Sequence, residues 1–169
     1  MWPYFNEALE YASINTCNRI AAFVAQIGHE SGGVKYFEEI ASGEAYEGRS
    51  DLGNTETGDG KRYKGRGPIQ LTGRSNYRTS GARLGLDFED DPELVLFPSG
   101  GFKAAADYWK SHWSGNLNRY CDSGTDADFR TLTRRINGGT NGLDHREELW
   151  EVAKVSQRAS EASEPFEHS

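Results

Sequence analysis

Residues 17–33 read Cys17-Asn18-Arg19-Ile20-Ala21-Ala22-Phe23-Val24-Ala25-Gln26-Ile27-Gly28-His29-Glu30-Ser31-Gly32-Gly33. Ile20, Phe23, Val24 and Ile27 recur at three and four, with Ala21, Ala22 and Ala25 between them. That is the period of a helix with one buried face. Asn15 or Thr16 can cap its start, and Gly32-Gly33 can end it, because glycine tolerates left-handed backbone angles. The stripe Phe23, Ile27 leads to position 30, so Glu30 falls on the buried face at the helix C-terminus. Burial and the negative end of the helix dipole both favour a protonated carboxyl. A general acid must hold that state before it donates. The same position also suits a carboxylate that pairs with an arginine and only holds the fold.

Outward from this helix, residues 5–13 read as a short helix with Phe5, Leu9 and Tyr11 near one face. Residues 41–68 are rich in Gly, Ser, Asn, Thr and Asp and read as an irregular loop region, a length that usually carries function. Residues 68–72 are short and apolar and read as extended. Helices are expected over 73–84, Gly101 to Trp113 and 126–136, with a short turn at 91–95 and a last helix from Arg146 to about Val155. Asn137-Gly138-Gly139-Thr140-Asn141-Gly142 stops the helix before it. The pattern predicts a mainly α-helical fold in one domain, residues 1–155, followed by a polar tail, 156–169, expected to fray.

The chain has 169 residues, enough to bury a core without covalent staples. A net charge of −7 argues against nucleic acid, which clustered Lys and Arg would bind, and mildly against an anionic polymer. No run of about 18 apolar residues is present, so no membrane span is expected. Met1-Trp2-Pro3-Tyr4 does not open a signal peptide. Cys17 and Cys121 could form one disulfide or stay as two thiols, and neither has metal-ligand spacing around it. Aromatics make up 12% of the chain, a share that suits a groove where sugar C–H faces stack on rings, although most such residues belong to cores.

A second carboxylate is needed to activate water. Glu38, Glu39, Glu44 and Glu47 follow the Gly32-Gly33 break, and spacing alone leaves Glu38 and Glu39 equal candidates. The block Tyr63-Lys64-Gly65-Arg66-Gly67-Pro68-Ile69-Gln70-Leu71-Thr72-Gly73-Arg74-Ser75-Asn76-Tyr77 alternates polar residues with glycines and apolar ones, and it lacks the Lys-Ser/Thr ending of a P-loop. His29 and His145 lack ligand partners at helical spacing. Asp51, Asn54 and Asp59 do not match a calcium loop. Ser31 and Ser75 lack a nucleophile elbow. No metal or cofactor is therefore expected.

Three blocks in order resemble glycoside hydrolase family 19, the chitinases and related phage-type endolysins: His-Glu-Ser-Gly-Gly at 29–33, Tyr-Lys-Gly-Arg-Gly-Pro-Ile-Gln-Leu-Thr-Gly at 63–73, and Ile-Asn-Gly-Gly at 136–139. Together they cover roughly residues 14–155. The resemblance implies a bilobal, lysozyme-like helical fold and an inverting mechanism. It implies Glu30 as general acid, Glu39 as general base at the nine-residue offset of compact bacterial members, and Thr72 as the hydroxyl that helps hold the attacking water. Tyr63, Gln70, Asn76 and Asn137 fall where the family contacts sugar. Arg66 and Arg146 look like the arginines that orient the acidic residues.

There are departures. The loops that lengthen the plant cleft are missing, so few sugar subsites are expected. Asn141 stands where plant members often carry another acid. The resemblance implies an endo-glycosidase of β-1,4-linked N-acetylglucosamine polymers, with chitin and chito-oligosaccharides favoured. Peptidoglycan is the alternative, suggested by Thr72 and the short loops. A non-catalytic chitin-binding protein is a third reading, which retention of both Glu30 and Glu39 disfavours. A monomer is expected, extracellular or secreted in its native setting.

Overall fold

A computed structural model describes residues 1–33, 35 and 37–163, with side chains through 158. Seven α-helices are found among the described residues: α1 (Trp2–Tyr11), α2 (Cys17–Glu30), α3 (Asp59–Arg62), α4 (Arg74–Leu84), α5 (Pro98–Lys110), α6 (Asp126–Asn137) and α7 (Leu143–Ser163). Short 3-10 turns at 44–46, 50–52, 92–96 and 117–120 join them. Among the described residues, pairing between extended segments is limited to two isolated bridges, Glu38 with Arg66 and Arg66 with Leu71.

The helix predicted from residues 17–33 is α2. Thr16 caps it, its hydroxyl accepting from the Arg19 N–H at 3.3 Å. Its buried face carries Ala21, Ala22, Phe23, Ala25, Gln26, Ile27 and Gly28. The small residues among them, above all Gly28, let α2 lie against α7. A Cβ on Gly28 would stand 3.4 Å from Leu149 Cδ1, so the two helices approach closely there.

Two hydrophobic clusters form. The larger gathers Phe23 and Ile27 of α2, Phe102 and Trp109 of α5, Phe129 and Leu132 of α6 and Trp150 of α7. Phe23 meets Trp109 edge to face at 5.2 Å, and Phe129 stacks on Trp150 at 4.3 Å. The smaller cluster is Tyr63, Leu71, Tyr77, Phe88, Val95 and Ala104. Helix α5 contributes to both, Ala104 on one side and Phe102, Ala105, Ala106 and Trp109 on the other.

Some boundaries differ from the sequence reading. Helix α5 starts at Pro98 rather than Gly101, because proline's fixed φ suits the first helical position, and it ends at Lys110 rather than Trp113. Helix α7 continues to Ser163, past the expected end near Val155. Residues 164–169 of the proposed tail lie outside the described residues. The segment 68–72 is not simply extended. Arg66 and Leu71 exchange backbone hydrogen bonds of 3.1 and 2.8 Å across a tight turn, and Gln70 closes it at φ 54°. That angle is uncommon for a residue with a side chain and costs energy of order 1–3 kcal/mol. Cys17 and Cys121 do not pair. Cys17 is exposed and Cys121 is buried, with burial pushing the Cys121 thiol up to about 12.

Candidate active site

Glu30 is the last residue of α2, and its side chain is one-quarter exposed (25%). Arg146 of α7 donates to Glu30 Oε1 at 2.5 Å. The same guanidinium donates to Gln26 Oε1 at 2.6 Å and to the Asn141 carbonyl at 3.3 Å. Gln26 in turn donates to the Thr133 hydroxyl at 2.9 Å. Gln26, Thr133 and Arg146 are all buried. A continuous polar relay therefore runs from α6 through α2 and α7 to Glu30, with each buried member partnered, as a polar core requires. Arg146 therefore contacts Glu30 directly. Asn137 supports the same corner, donating to the Asn141 carbonyl at 3.0 Å while its own Oδ1 accepts from the Gly139 N–H at 2.8 Å.

The structure separates Glu38 from Glu39. Residues 37–39 run antiparallel to 65–67: Glu39 N donates to the Gly65 carbonyl at 2.9 Å, and Gly67 N to the Phe37 carbonyl at 2.7 Å. Neighbouring residues on an extended segment face opposite sides. Glu38 turns to Lys64, 3.3 Å away, and Arg66, 3.6 Å away. Glu39 turns the other way. Its Oε1 accepts from the Tyr46 hydroxyl at 3.0 Å and its Oε2 from the Gly65 N–H at 3.1 Å. Burial, and then the bond to Glu39, holds the Tyr46 phenol above its ordinary range, so it stays a donor. Glu47 is structural, accepting from the Gly58 and Gly60 N–H groups at 2.6 and 2.8 Å.

Gly65 marks where the central block converges. A Cβ there would lie 2.8 Å from Gln70 Oε1, 3.1 Å from Glu39 Oε2 and 3.3 Å from Thr72 Oγ1. A side chain at 65 would fill the space that Glu39, Gln70 and Thr72 share. Internal bonds fix the three: Gln70 Nε2 donates to the Gly67 carbonyl at 3.0 Å and Thr72 Oγ1 to the Gln70 carbonyl at 2.9 Å. Asn76 follows, its Nδ2 donating to the Thr72 carbonyl at 2.7 Å. Gln70, Thr72 and Asn76 line a cavity of about 450 Å³ whose other wall includes Tyr108, His112 and Trp113. Glu30 and Glu39 are not among its lining residues. Tyr108 connects it to Glu30: burial, and then the nearby Glu30 carboxylate, pushes this phenol up to about 12.

Two residues of the implied set lie away from Glu30 and Glu39. Tyr63 does not reach a cleft. It is 2% exposed, packs against Tyr77, and donates to the Glu89 carbonyl at 3.0 Å. Its ring is worth more in the smaller core than against sugar. Arg66 faces Glu38 rather than Glu30 or Glu39, and it also donates to the Arg62 carbonyl and the Tyr77 hydroxyl at 2.8 and 3.2 Å.

Sequence reasoning missed Gln26 and Thr133. The available signal was an amide standing inside an otherwise apolar stripe. It also missed that His29 and His145 meet, Nδ1 to Nδ1 at 2.9 Å, beside Glu30 and Arg146. One ring must donate and the other accept, so they cannot both be charged in that contact. Gly142 leaves room for the His29 ring, since a Cβ there would lie 2.1 Å from His29 Cε1.

Burial, reinforced by Arg146 and His145 against the opposing pull of Glu30, holds His29 below its ordinary value of 6.5. Burial also lowers His112; the Arg135 carbonyl opposes it and the Arg135 charge adds to it. For both residues the unfolded chain takes the proton first as pH falls. Stability should be level above the unfolded value and drop as pH passes below it, until the folded imidazoles also protonate. Thermal melts at pH 8, 6.5 and 5 are expected to show this loss, with a smaller slope in His29→Gln. An equal slope in both proteins would remove His29 from the account.

Comparisons with known proteins identify the family. The family model described as class I chitinase, glycoside hydrolase family 19, matches residues 5–121. A glycosyl hydrolase family 19 domain-containing protein of Haemophilus influenzae is 34% identical, covering 80% of this chain and 78% of its own. An endochitinase of Arabidopsis thaliana is 40% identical over 71% of this chain, and the chain spans 39% of that relative's length. Among solved structures, chitinase C from Streptomyces griseus superposes with a TM-score of 0.75 at 24% identity, covering 92% of this chain and 83% of that one. A class IV family 19 chitinase from Zea mays gives 0.72 at 25%, covering 94% and 81%. The helical arrangement is the lysozyme-like fold of these enzymes. This chain belongs to glycoside hydrolase family 19 and is a chitinase-like glycoside hydrolase.

Proposed function

We propose that the chain is an inverting endo-glycosidase that cuts β-1,4 bonds in N-acetylglucosamine polymers, with Glu30 as general acid and Glu39 as general base. The unlike settings of the two carboxyls carry this reading. Both Glu39 oxygens accept hydrogen bonds, from Tyr46 and Gly65, a pattern that suits an acceptor-only carboxylate. Glu30 commits Oε1 to Arg146 and leaves Oε2 to carry a proton to the glycosidic oxygen. While the bond to the leaving group breaks, Glu39 deprotonates a water that attacks the anomeric carbon from the opposite face. Thr72 Oγ1, beside Glu39 Oε2 at Gly65, supplies a hydroxyl to hold that water. Such chemistry needs the carboxyls about 6.5–9.5 Å apart in the substrate complex. Gln70 and Asn76 present amides to the sugar, and Asn137 steadies the loop that Arg146 leans on.

Chitin and chito-oligosaccharides are the favoured substrate. The net charge of −7 disfavours an anionic polymer, and the charged pair in the cavity wall, Arg83 with Asp107, is internally neutralised by bonds of 2.8 and 2.7 Å. Thr72 and the compact chain keep peptidoglycan as the second reading. A side-by-side panel decides: reducing sugar released from soluble chitin and chitohexaose, clearing of bacterial cell suspensions, and the anomer first formed, read by NMR. The expected result is α-anomer product from the chitin substrates and weak clearing. No release from either polymer would overturn the enzymatic reading, and clearing without chitin turnover would move the substrate to peptidoglycan.

A further inference from the structure

Of the four tryptophans, Trp109 and Trp150 are buried, while Trp2 and Trp113 are largely exposed. Trp113 lines the cavity that Gln70, Thr72 and Asn76 also line, yet it is 78% exposed. Leaving an indole in water forfeits burial that its area would otherwise gain. The ring is nonetheless held. The Arg135 guanidinium of α6 lies 5.5 Å from its centroid and 5.9 Å from that of Tyr120. The His112 ring lies 5.2 Å away, tilted 39°. His112 is itself anchored: it is buried, its Nδ1 accepts from the Ser114 N–H at 3.2 Å, and its ring meets Tyr108 edge-on at 5.3 Å. Trp113 is thus a positioned aromatic surface beside amides.

Three properties of the cavity narrow what it would take. One wall is amide and hydroxyl, from Gln70, Asn76 and Thr72. Tyr108 and Trp113 add aromatic lining. The charged groups of the lining, Arg83 and Asp107, satisfy each other bidentately. A neutral ring with one apolar face and an amide substituent matches all three, because its C–H face can stack on indole while the amide exchanges hydrogen bonds with Gln70 or Asn76.

We propose that Trp113 is the stacking platform of an additional sugar subsite, which takes an N-acetylhexosamine ring of the polymer away from the bond being cut. The proposal rests on the glycosidase reading for its substrate. It assigns Trp113 a binding role that touches the chain of sugars and leaves proton transfer to Glu30 and Glu39. Arg135 acts through Trp113 as a positioning residue. Stacking adds affinity only for substrates long enough to reach the subsite, so its effect belongs to KM and to the choice of bond rather than to kcat.

The test compares Trp113→Ala and Trp113→Phe with the parent on chitotriose and chitohexaose. For Trp113→Ala, KM for chitohexaose should rise about tenfold with kcat nearly unchanged, chitotriose should be little affected, and the hexamer product pattern should shift. Trp113→Phe should recover most of the loss. Melting temperatures should stay level, since the ring is exposed. In parallel, chitohexaose binding to the Glu30→Gln protein is measured by calorimetry with and without Trp113→Ala. Parent turnover of chitohexaose with the same KM and products in Trp113→Ala would overturn the proposal. If the parent cleaves no chito-oligosaccharide, the glycosidase reading fails, and the calorimetric arm still decides: binding lost with Trp113→Ala supports the subsite, while binding that is unchanged or absent overturns it.

Discussion

Glu30→Gln is expected to lower kcat on chitohexaose by about 10³-fold, with KM and melting temperature close to the parent values. The amide is nearly isosteric with the carboxyl and can still accept from Arg146, so the relay behind it stays occupied. What it cannot do is deliver a proton. The loss should therefore depend on the leaving group. On an aryl glycoside whose leaving phenol is already acidic, departure needs little protonation, and most of the rate should return. Glu39→Gln should lose a comparable factor on both substrates, because activation of water is needed whatever the leaving group. Glu38→Gln, by contrast, removes partners of Lys64 and Arg66 and should keep most of the rate. A Glu30→Gln protein within tenfold of the parent on chitohexaose would remove Glu30 from the acid role.

Arg146→Leu is expected to cost about 3 kcal/mol of folding stability, or roughly 6–12 °C in Tm, and to reduce kcat more than tenfold. Arg146 is buried and serves three acceptors at once, Gln26, Glu30 and the Asn141 carbonyl. Truncation leaves a buried amide oxygen and a half-buried carboxylate without their donor, and such orphaned groups dominate the cost. Lysine should not rescue it, since one ammonium cannot reproduce the spread of a guanidinium over three partners. Adding Glu30→Gln to Arg146→Leu should recover part of the stability, because the stranded group is then neutral. A double-mutant cycle on Tm reads that coupling. An unchanged Tm in Arg146→Leu would mean that the relay does not bear on the fold.

The sequence made some of this legible and not the rest, for reasons that lie in the range of the interactions. Helix α2 follows from its own period, and with it the placement of Glu30, because both depend on neighbours three and four residues away. The choice between Glu38 and Glu39 was open, because it is made by alternation against residues 65–67, which local spacing does not include. Tyr63 sits in a glycine-rich block that suggested a cleft, yet its burial is decided by Tyr77 and the Glu89 carbonyl. His29 and His145 are 116 positions apart, and only the docking of α2 on α7 brings them together. The start of α5 at Pro98 is set by proline's fixed φ at the first helical position, which the apolar period from Phe102 onward does not register. Gln70 carries its positive φ in a turn that the Arg66–Leu71 backbone pair closes and that the Phe37 carbonyl, distant in sequence, holds through the Gly67 N–H.

The relay behind Glu30 has a consequence for biosynthesis. Its members come from opposite ends of the chain, Gln26 and Glu30 from α2, Thr133 from α6 and Arg146 from α7. A ribosome delivers α2 long before α7, and pairings of such sequence separation close slowly. Until α7 docks, the carboxyl of Glu30 has no guanidinium to hold it. The Glu30 site is thus completed only when α7 has been made and has docked, and a chain that stops short of α7 lacks the guanidinium that holds Glu30.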